Sequence, residues 1–382
     1  MSESSAVPVV NSFDEWTRLS EVIVGSSNGL RAFHLDPSFN LFYWENIRGY
    51  LKAREYFRDK SGSYEWPIIP LSQNILNELA EDIQGFVETL SDLGIVVRRP
   101  LELVGNGQVQ TPFWRSIASP PLNVRDQTLI LGSNIVETAP QVRGRLFEND
   151  YLKPVFLKYM ELGARWLCMP RPTLSAGTLD LGYFSLTEEE QSALVDYHAL
   201  ELPGIGREIL FDGAQCIRLG RDVLVNVANK SHELGLRWLS AQFGDTFQFH
   251  RLDGMADSHI DSTILPLRAG VWLARDKGFI DKLPGEFRRW DVVVAPEPSE
   301  DQFPSYEGTT LSITSRFIDM NVLSIDERTV IANSLSPELV HVLEHAGFAV
   351  IPVRNRHRRI CGGGFHCFTL DVRRSGGLES YR

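Results

Sequence analysis

Two stretches of the chain place apolar residues at helical spacing. Ile75, Leu76, Leu79, Ile83, Val87, Leu90 and Leu93 fall on one face before Gly94 ends the run. Ser336 and Pro337 supply an N-cap followed by proline at the first helical position, and Leu339, Val342, Leu343 and Ala346 then share a face up to Gly347. Each helix is followed at once by a short β-branched run, IVVRR after Gly94 and FAVIPV after Gly347, which predicts a strand.

The same grammar recurs. A strand, a helix and a second strand are predicted at 20–25, 72–93 and 95–99; at 127–137, 149–162 and 164–168; at 222–227, 231–243 and 246–250; at 270–275, 279–289 and 291–295; and at 328–332, 337–346 and 348–353. No Pro/Gly/Ser-rich linker separates any pair of units, so one domain over residues 1–382 is expected, with roughly the first ten residues disordered. Five units are too few for a TIM barrel, and no glycine-rich phosphate loop follows the first strand as a Rossmann fold requires. The expected fold is α/β, a pseudo-fivefold propeller of strand–helix–strand units around a central cavity, with the helices outside.

Composition narrows the function. With 38 Lys and Arg against 49 Asp and Glu, the net charge of −11 opposes binding to a phosphate backbone, and no nucleic-acid partner is expected. Such a chain draws cationic small molecules towards a cleft if its carboxylates gather there. The first twenty residues hold no basic segment followed by an apolar run, and no uninterrupted apolar stretch is long enough to span a bilayer, so a cytoplasmic protein without membrane partners is expected. The four cysteines, Cys168, Cys216, Cys361 and Cys367, are too scattered for a disulfide framework or a zinc pattern.

Three places carry candidate chemistry. Residues 361–374 read CGGGFHCFTLDVRR; three glycines let a flat ligand approach the backbone, and Cys367 just beyond them is a candidate nucleophile if a cation, the substrate's own included, stabilises its thiolate. His259 and Asp261 flank Ile260 at the expected start of a strand, which would put a base and a carboxylate on one face. Asp212, in FDGAQCIRLGRD, and Asp126, in VRDQTLILG, stand at equivalent places before apolar strands. With Asp261 they would form an acidic pocket for a guanidinium or amine. Trp16, Trp238 and Trp290 read as core, Cys168 and Cys216 as packed residues of apolar strands, and RNRHRR at 354–359 as a solvated basic loop.

GGGFHCFTLDVRR followed by SGGLESY, the segment MNVLSIDERTV, HIDSTI, FDGAQCIRLGRDVL and the opening NSFDEWTRLSEVIVG together resemble the glycine amidinotransferase family, which includes the inosamine-phosphate enzymes. The resemblance runs in order over essentially the whole chain. It implies the five-bladed α/β propeller of guanidine-modifying enzymes, Cys367 as nucleophile, His259 as general acid and base, Asp212 as its assistant, Asp126 and Asp261 as the carboxylates gripping the donor's guanidinium, and Thr314 and Ser315 as donor contacts. It implies ping-pong transfer from a guanidine donor, L-arginine releasing ornithine, to an amine acceptor, without cofactor or metal, and it allows a homodimer. The chain departs from the family at Gln215, often acidic or amide there; at Gly278, where the glycine enzyme has an arginine for the donor's carboxylate; and over residues 29–66.

Two other enzyme readings compete. A guanidine hydrolase or deiminase of the same fold would resolve the covalent intermediate with water. A non-haem iron enzyme would use His259 and Asp261 with His341 or His345. A binding protein that merely keeps the pocket is disfavoured by the joint presence of nucleophile, base and carboxylates.

Overall fold

The computed structural model describes residues 8–34, 36, 38, 68–105, 107–179, 206–256, 258–299, 303–304 and 313–382. Most of the 29–66 segment, and residues 1–7 of the expected disordered tail, lie outside the described residues. Val9 and Val10 of that tail are ordered against a core cluster, with Val10 buried.

In chain order, β1 (Leu19–Val24) precedes β2 (Ala32–His34) and β3 (Ile68–Pro70), which pair with each other. The helix Gln73–Asp92, capped by Ser72, leads to β4 (Val96–Arg98), parallel to β1. A small hairpin of β5 (Gln108–Gln110) and β6 (Arg115–Ile117) follows. The next sheets are β7 (Thr128–Leu131), β8 (Asn134–Glu137) and β9 (Arg165–Cys168); then β10 (Cys216–Leu219), β11 (Asp222–Val227) and β12 (Gln248–Asp253). They are followed by β13 (Ile264–Arg268), β14 (Val271–Ala274) and β15 (Asp291–Val294), and by β16 (Leu323–Ser324), β17 (Thr329–Asn333) and β18 (Ala349–Val353). The last strand, β19 (Thr369–Arg374), returns to pair antiparallel with β1.

Among the described residues this gives five three-stranded sheets with one wiring: a first strand antiparallel to a second, and a second parallel to a third. In the first sheet β19 supplies the first strand. Each expected unit therefore gains an antiparallel strand. The single strand expected over 127–137 is two, because Gly132 adopts φ +58° and turns the chain into a hairpin. Proline and glycine at 284 and 285 break the helix expected over 279–289 into 3₁₀ turns, Lys277–Lys282 and Phe287–Arg289.

The middle strands are buried on both faces, and alternation wires each sheet into two cores. Val223, Val225 and Val227 of β11 pack with β7 and β8, whereas Leu224 packs with β13 and β14. Trp272 and Ala274 of β14 face back to that core, while Val271 and Leu273 face β17. Further clusters join the fifth sheet to the first through Leu323, Ile331, Val22 and Val24, and the first to the second through Ile23, Leu370, Ile130 and Ile135. Packing thus links the five sheets in cyclic order.

Beneath this ring of contacts lies a buried charge network. Arg125 and Arg218 both pair with Glu15 and Asp371, and Arg374 pairs with Asp371 at 2.6 Å. Burial opposes ionisation of Glu15, but Arg218 and Arg125 outweigh it and hold its carboxyl well below the usual range.

The basic run at 354–359 is no solvated loop. Arg354 and Arg356 pair with Asp82 of the helix Gln73–Asp92, and Arg358 is buried, 2.7 Å from Asp319. Trp16 and Trp290 are core, and Trp238 packs half-buried against it. Cys216 is buried, but Cys168 is exposed at the end of edge strand β9, where its thiol donates to Glu137 Oε1.

Candidate active site

The candidate residues share a structural position. Asp126 stands two residues before β7, Asp212 four before β10, Asp261 three before β13 and Cys367 two before β19. Asn321, which sequence reasoning missed, stands two before β16. Each three-stranded sheet therefore presents one polar side chain from the segment entering its first strand. That equivalence was the available signal for Asn321.

Asp126 is the third residue of the short helix Val124–Gln127. Its Oδ2 accepts a 2.6 Å hydrogen bond from Arg145 Nη1, and Arg145 also grips Glu148 with two nitrogens, at 2.7 and 2.9 Å. Its other oxygen, Oδ1, is buried and has no hydrogen-bond partner among the described residues. Burial raises the pKa of Asp126 against the pull of His259 and Arg145, and burial pushes Glu148 up to about 7.

Asp212 caps the 3₁₀ turn Gly213–Gln215 in a capping box: its own N–H donates to Gln215 Oε1 at 2.9 Å. Gln215 is thereby a structural half of the turn, and its Nε2 donates to Asn226 O. Asp212 Oδ2 accepts from His259 Nε2 at 2.8 Å, while His259 Nδ1 lies 3.7 Å from Asp126 Oδ1. Burial alone would depress the imidazole's pKa; Asp126 and Asp212, with Asp261 behind them, outweigh it and lift it to about 9.

His259 and Asp261 are not in a strand, for β13 begins only at Ile264 and a turn covers 261–263. The turn sends them to different partners. Asp261 Oδ2 accepts from His366 Nδ1 at 2.7 Å and from the Cys367 thiol at 3.3 Å, and its Oδ1 is buried without a partner among the described residues. Burial favours the neutral acid, but hydrogen bonding and charge from His366 hold Asp261 below its ordinary value.

Cys367 is buried, and burial followed by the fields of Asp261 and Asp126 pushes its thiol well above the usual range. Asn321 Oδ1 accepts from the N–H groups of Gly364 and Cys367, fixing the turn. The glycines serve the protein itself: a Cβ on Gly363 would sit 2.1 Å from Asn123 Oδ1, and one on Gly364 2.7 Å from Asn321 Cβ.

The structure thus brings together Cys367, His259, Asp126, Asp212 and Asp261, and adds Asn321, Arg145, Glu148 and His366. Thr314 and Ser315 have other described contacts: the Thr314 hydroxyl lies 3.4 Å from Arg359 O, and Ser315 caps the 3₁₀ helix Arg316–Met320 that runs into Asn321. Gly278 donates its N–H to Asp276, and Arg275 lies over the Phe317 ring. The histidines of the iron reading, His341 and His345, are exposed and lie against each other with tilted rings, centroids 3.9 Å apart. Among the described residues no group of three or more His, Cys, Asp or Glu is arranged to hold a metal ion, and no helix is long and apolar enough to cross a membrane.

No protein-family model matches the chain. It is 33% identical over 376 residues to inosamine-phosphate amidinotransferase 1 of Streptomyces glaucescens, covering 98% of this chain and 99% of that protein. It is 31% identical to the L-arginine:L-lysine amidinotransferase of Pseudomonas savastanoi pv. phaseolicola, covering 97% and 96%. The solved inosamine-phosphate amidinotransferase of Streptomyces griseus superposes with a TM-score of 0.80 at 31% identity, covering 97% and 99%. A solved dimethylarginine dimethylaminohydrolase shares the fold alone, with a TM-score of 0.53 at 12% identity, covering 92% of this chain and 99% of that one. Sequence motifs, site geometry and near full-length similarity converge, and the chain belongs to the glycine amidinotransferase family, whose members include the inosamine-phosphate enzymes.

Proposed function

We propose that this amidinotransferase takes its amidino group from L-arginine, releases ornithine, and passes the group to an acceptor amine through a covalent amidino-Cys367 intermediate. The catalytic centre sits in a central cavity of a single five-bladed α/β propeller. The observation that carries the reading is the environment of the thiol: Asp126 and Asp261 act on both Cys367 and His259, and each keeps one buried oxygen without a hydrogen-bond partner among the described residues. Among the described residues Asp126 Oδ1 has only the His259 imidazole at 3.7 Å and Asp261 Oδ1 has no hydrogen bond, and buried carboxylate oxygens left short of partners favour the arrival of a further cation. A guanidinium would meet one oxygen from each carboxylate, not both oxygens of one, because Arg145 and His366 already occupy the others. Thr314 and Ser315 would contact the donor's far end.

In the first half-reaction the sulfur forms a bond to the guanidinium carbon and the C–N bond to the ornithine nitrogen breaks. His259, protonated at neutral pH, gives its proton to the departing amine, and the thiol proton restores it. Asp212 holds the imidazole in place. In the second half-reaction the acceptor amine attacks the same carbon, its proton passes through His259, and the thiol leaves. The arginine named in the L-arginine:L-lysine relative supports arginine as donor.

Intact-protein and peptide mass spectrometry after exposure to L-arginine alone should find one amidino group on Cys367 and one ornithine released. An adduct on Cys361, or turnover without any adduct, would overturn the reading. Citrulline as the product when amines are supplied would mark a hydrolase instead.

A further inference from the structure

His366 precedes the nucleophile, and all four of its polar groups are tied to different parts of the chain. Its ring Nδ1 lies 2.7 Å from Asp261 Oδ2 and its Nε2 3.3 Å from Glu15 Oε2. Its backbone N–H donates to Asn321 O at 3.1 Å, and its carbonyl accepts from Arg125 Nε at 2.9 Å. Glu15 is itself locked by Arg218 and Arg125. The imidazole therefore cannot turn without breaking its contacts to Asp261 and Glu15, its backbone is held by Asn321 and Arg125, and it is 3% exposed. A terminal carboxylate torsion is broad and roughly twofold, so an aspartate by itself does not choose which oxygen faces where. At Asp261 the choice has been made: Oδ2 faces both His366 and the thiol, and Oδ1 is left without a hydrogen-bond partner among the described residues, with the Asn321 side chain a further polar group acting on the carboxylate.

We propose that His366 is a positioning residue that pins Asp261, so that one oxygen meets the Cys367 thiol and the other is kept for the donor's guanidinium. The inference rests on the amidino-transfer reading for its ligand, but its geometry concerns the free protein. Nothing in it requires His366 to touch substrate.

Two substitutions separate positioning from general support. In His366→Asn the amide nitrogen takes the place of Nδ1, so the bond to Asp261 survives and the reach to Glu15 is lost; His366→Gln reaches the Nε2 side and abandons Asp261. In protein without substrate, alkylation of Cys367 by iodoacetamide should stay within about threefold of wild type in the asparagine variant. It should accelerate on the order of tenfold in the glutamine variant, because the carboxylate that disfavours the thiolate is released. The KM for L-arginine should follow the same order, with kcat moving less. Equal effects in the two variants, or effects that track loss of Tm, would overturn the proposal. Absence of any amidino adduct in wild type would sink the transfer reading and leave the alkylation comparison standing. Should the glutamine variant not fold, ¹⁵N-histidine spectra of the wild-type protein decide the point: Nδ1 of His366 must carry a proton, and an unprotonated Nδ1 refutes the assignment.

Discussion

Asp212 and His259 stand 47 residues apart, yet Asp212 Oδ2 and His259 Nε2 meet at 2.8 Å, joining the segment before β10 to the segment before β13. The contact does two things at once. It orients the ring, and it helps keep the imidazole charged near neutral pH. Replacing Asp212 by Asn should let the His259 pKa fall from about 9 towards its ordinary value, shifting the alkaline limb of the kcat/KM profile to lower pH. Turnover should fall by about 10²–10⁴-fold, the usual range for general acid–base catalysis. A profile whose alkaline limb stays in place would assign that limb to another group.

The raised pKa of His259 is also a statement about stability. A histidine whose folded pKa exceeds its unfolded one stabilises fully below the unfolded value, about 6.5, and the contribution is lost as pH rises through the folded value, about 9. Tm of the wild-type protein should therefore drop more between pH 7 and pH 10 than Tm of His259→Asn. Parallel curves from differential scanning calorimetry would contradict the raised pKa.

Arg145 neutralises two buried carboxylates, Asp126 and Glu148. Arg145→Met leaves both in the interior without their cation, and removal of one partner from a buried pair costs about 3–5 kcal/mol. Glu148, pushed up to about 7, is roughly half protonated at neutral pH, so Glu148→Gln should cost less than Arg145→Met, and combined with Arg145→Met it should recover part of the loss. Urea unfolding of the three variants checks the order; a tolerated Arg145→Met would show that water reaches the pair.

Gly363→Ala forces a methyl group to within 2.1 Å of Asn123 Oδ1 and 3.0 Å of Cys367 Cβ. The Asn123 amide, which bonds the carbonyls of Cys361 and Gly362, must move, and Cys367 beside it must give slightly, so turnover should fall. Asn123→Ala in the same chain should restore part of the activity, whereas Gly377→Ala, with nothing within 4 Å, should be silent. Steady-state kinetics of the three variants measure this directly.

The helices at 73–92 and 337–345 were legible because their periodicity, caps and closing glycines agree. The fourth helix was not, since an apolar pattern outlasts the proline and glycine that interrupt it. The first strands of the sheets were the harder part. β16 is two residues long, and β19 belongs to a sheet whose other strands lie more than 270 residues earlier, a pairing that no local pattern encodes. Family motifs pointed to Cys367, His259 and three aspartates. They could not show that Arg145 and His366 each occupy one oxygen of two of those aspartates, because side-chain partners set by the fold leave no mark on sequence spacing.

The pairing of β19 with β1 also orders events in time. Chains emerge from the ribosome N-terminus first, at about 5–20 residues per second. β1 is made early and must wait for β19 with one edge unpaired, an exposure that invites association with other chains. Cys367 is made just before β19, after Asp126, Asp212, His259, Asp261 and Asn321. A nascent chain can therefore assemble Asp126, Asp212 and His259 while it still lacks the sulfur, and the closure that rescues the open edge is the same step that delivers the nucleophile.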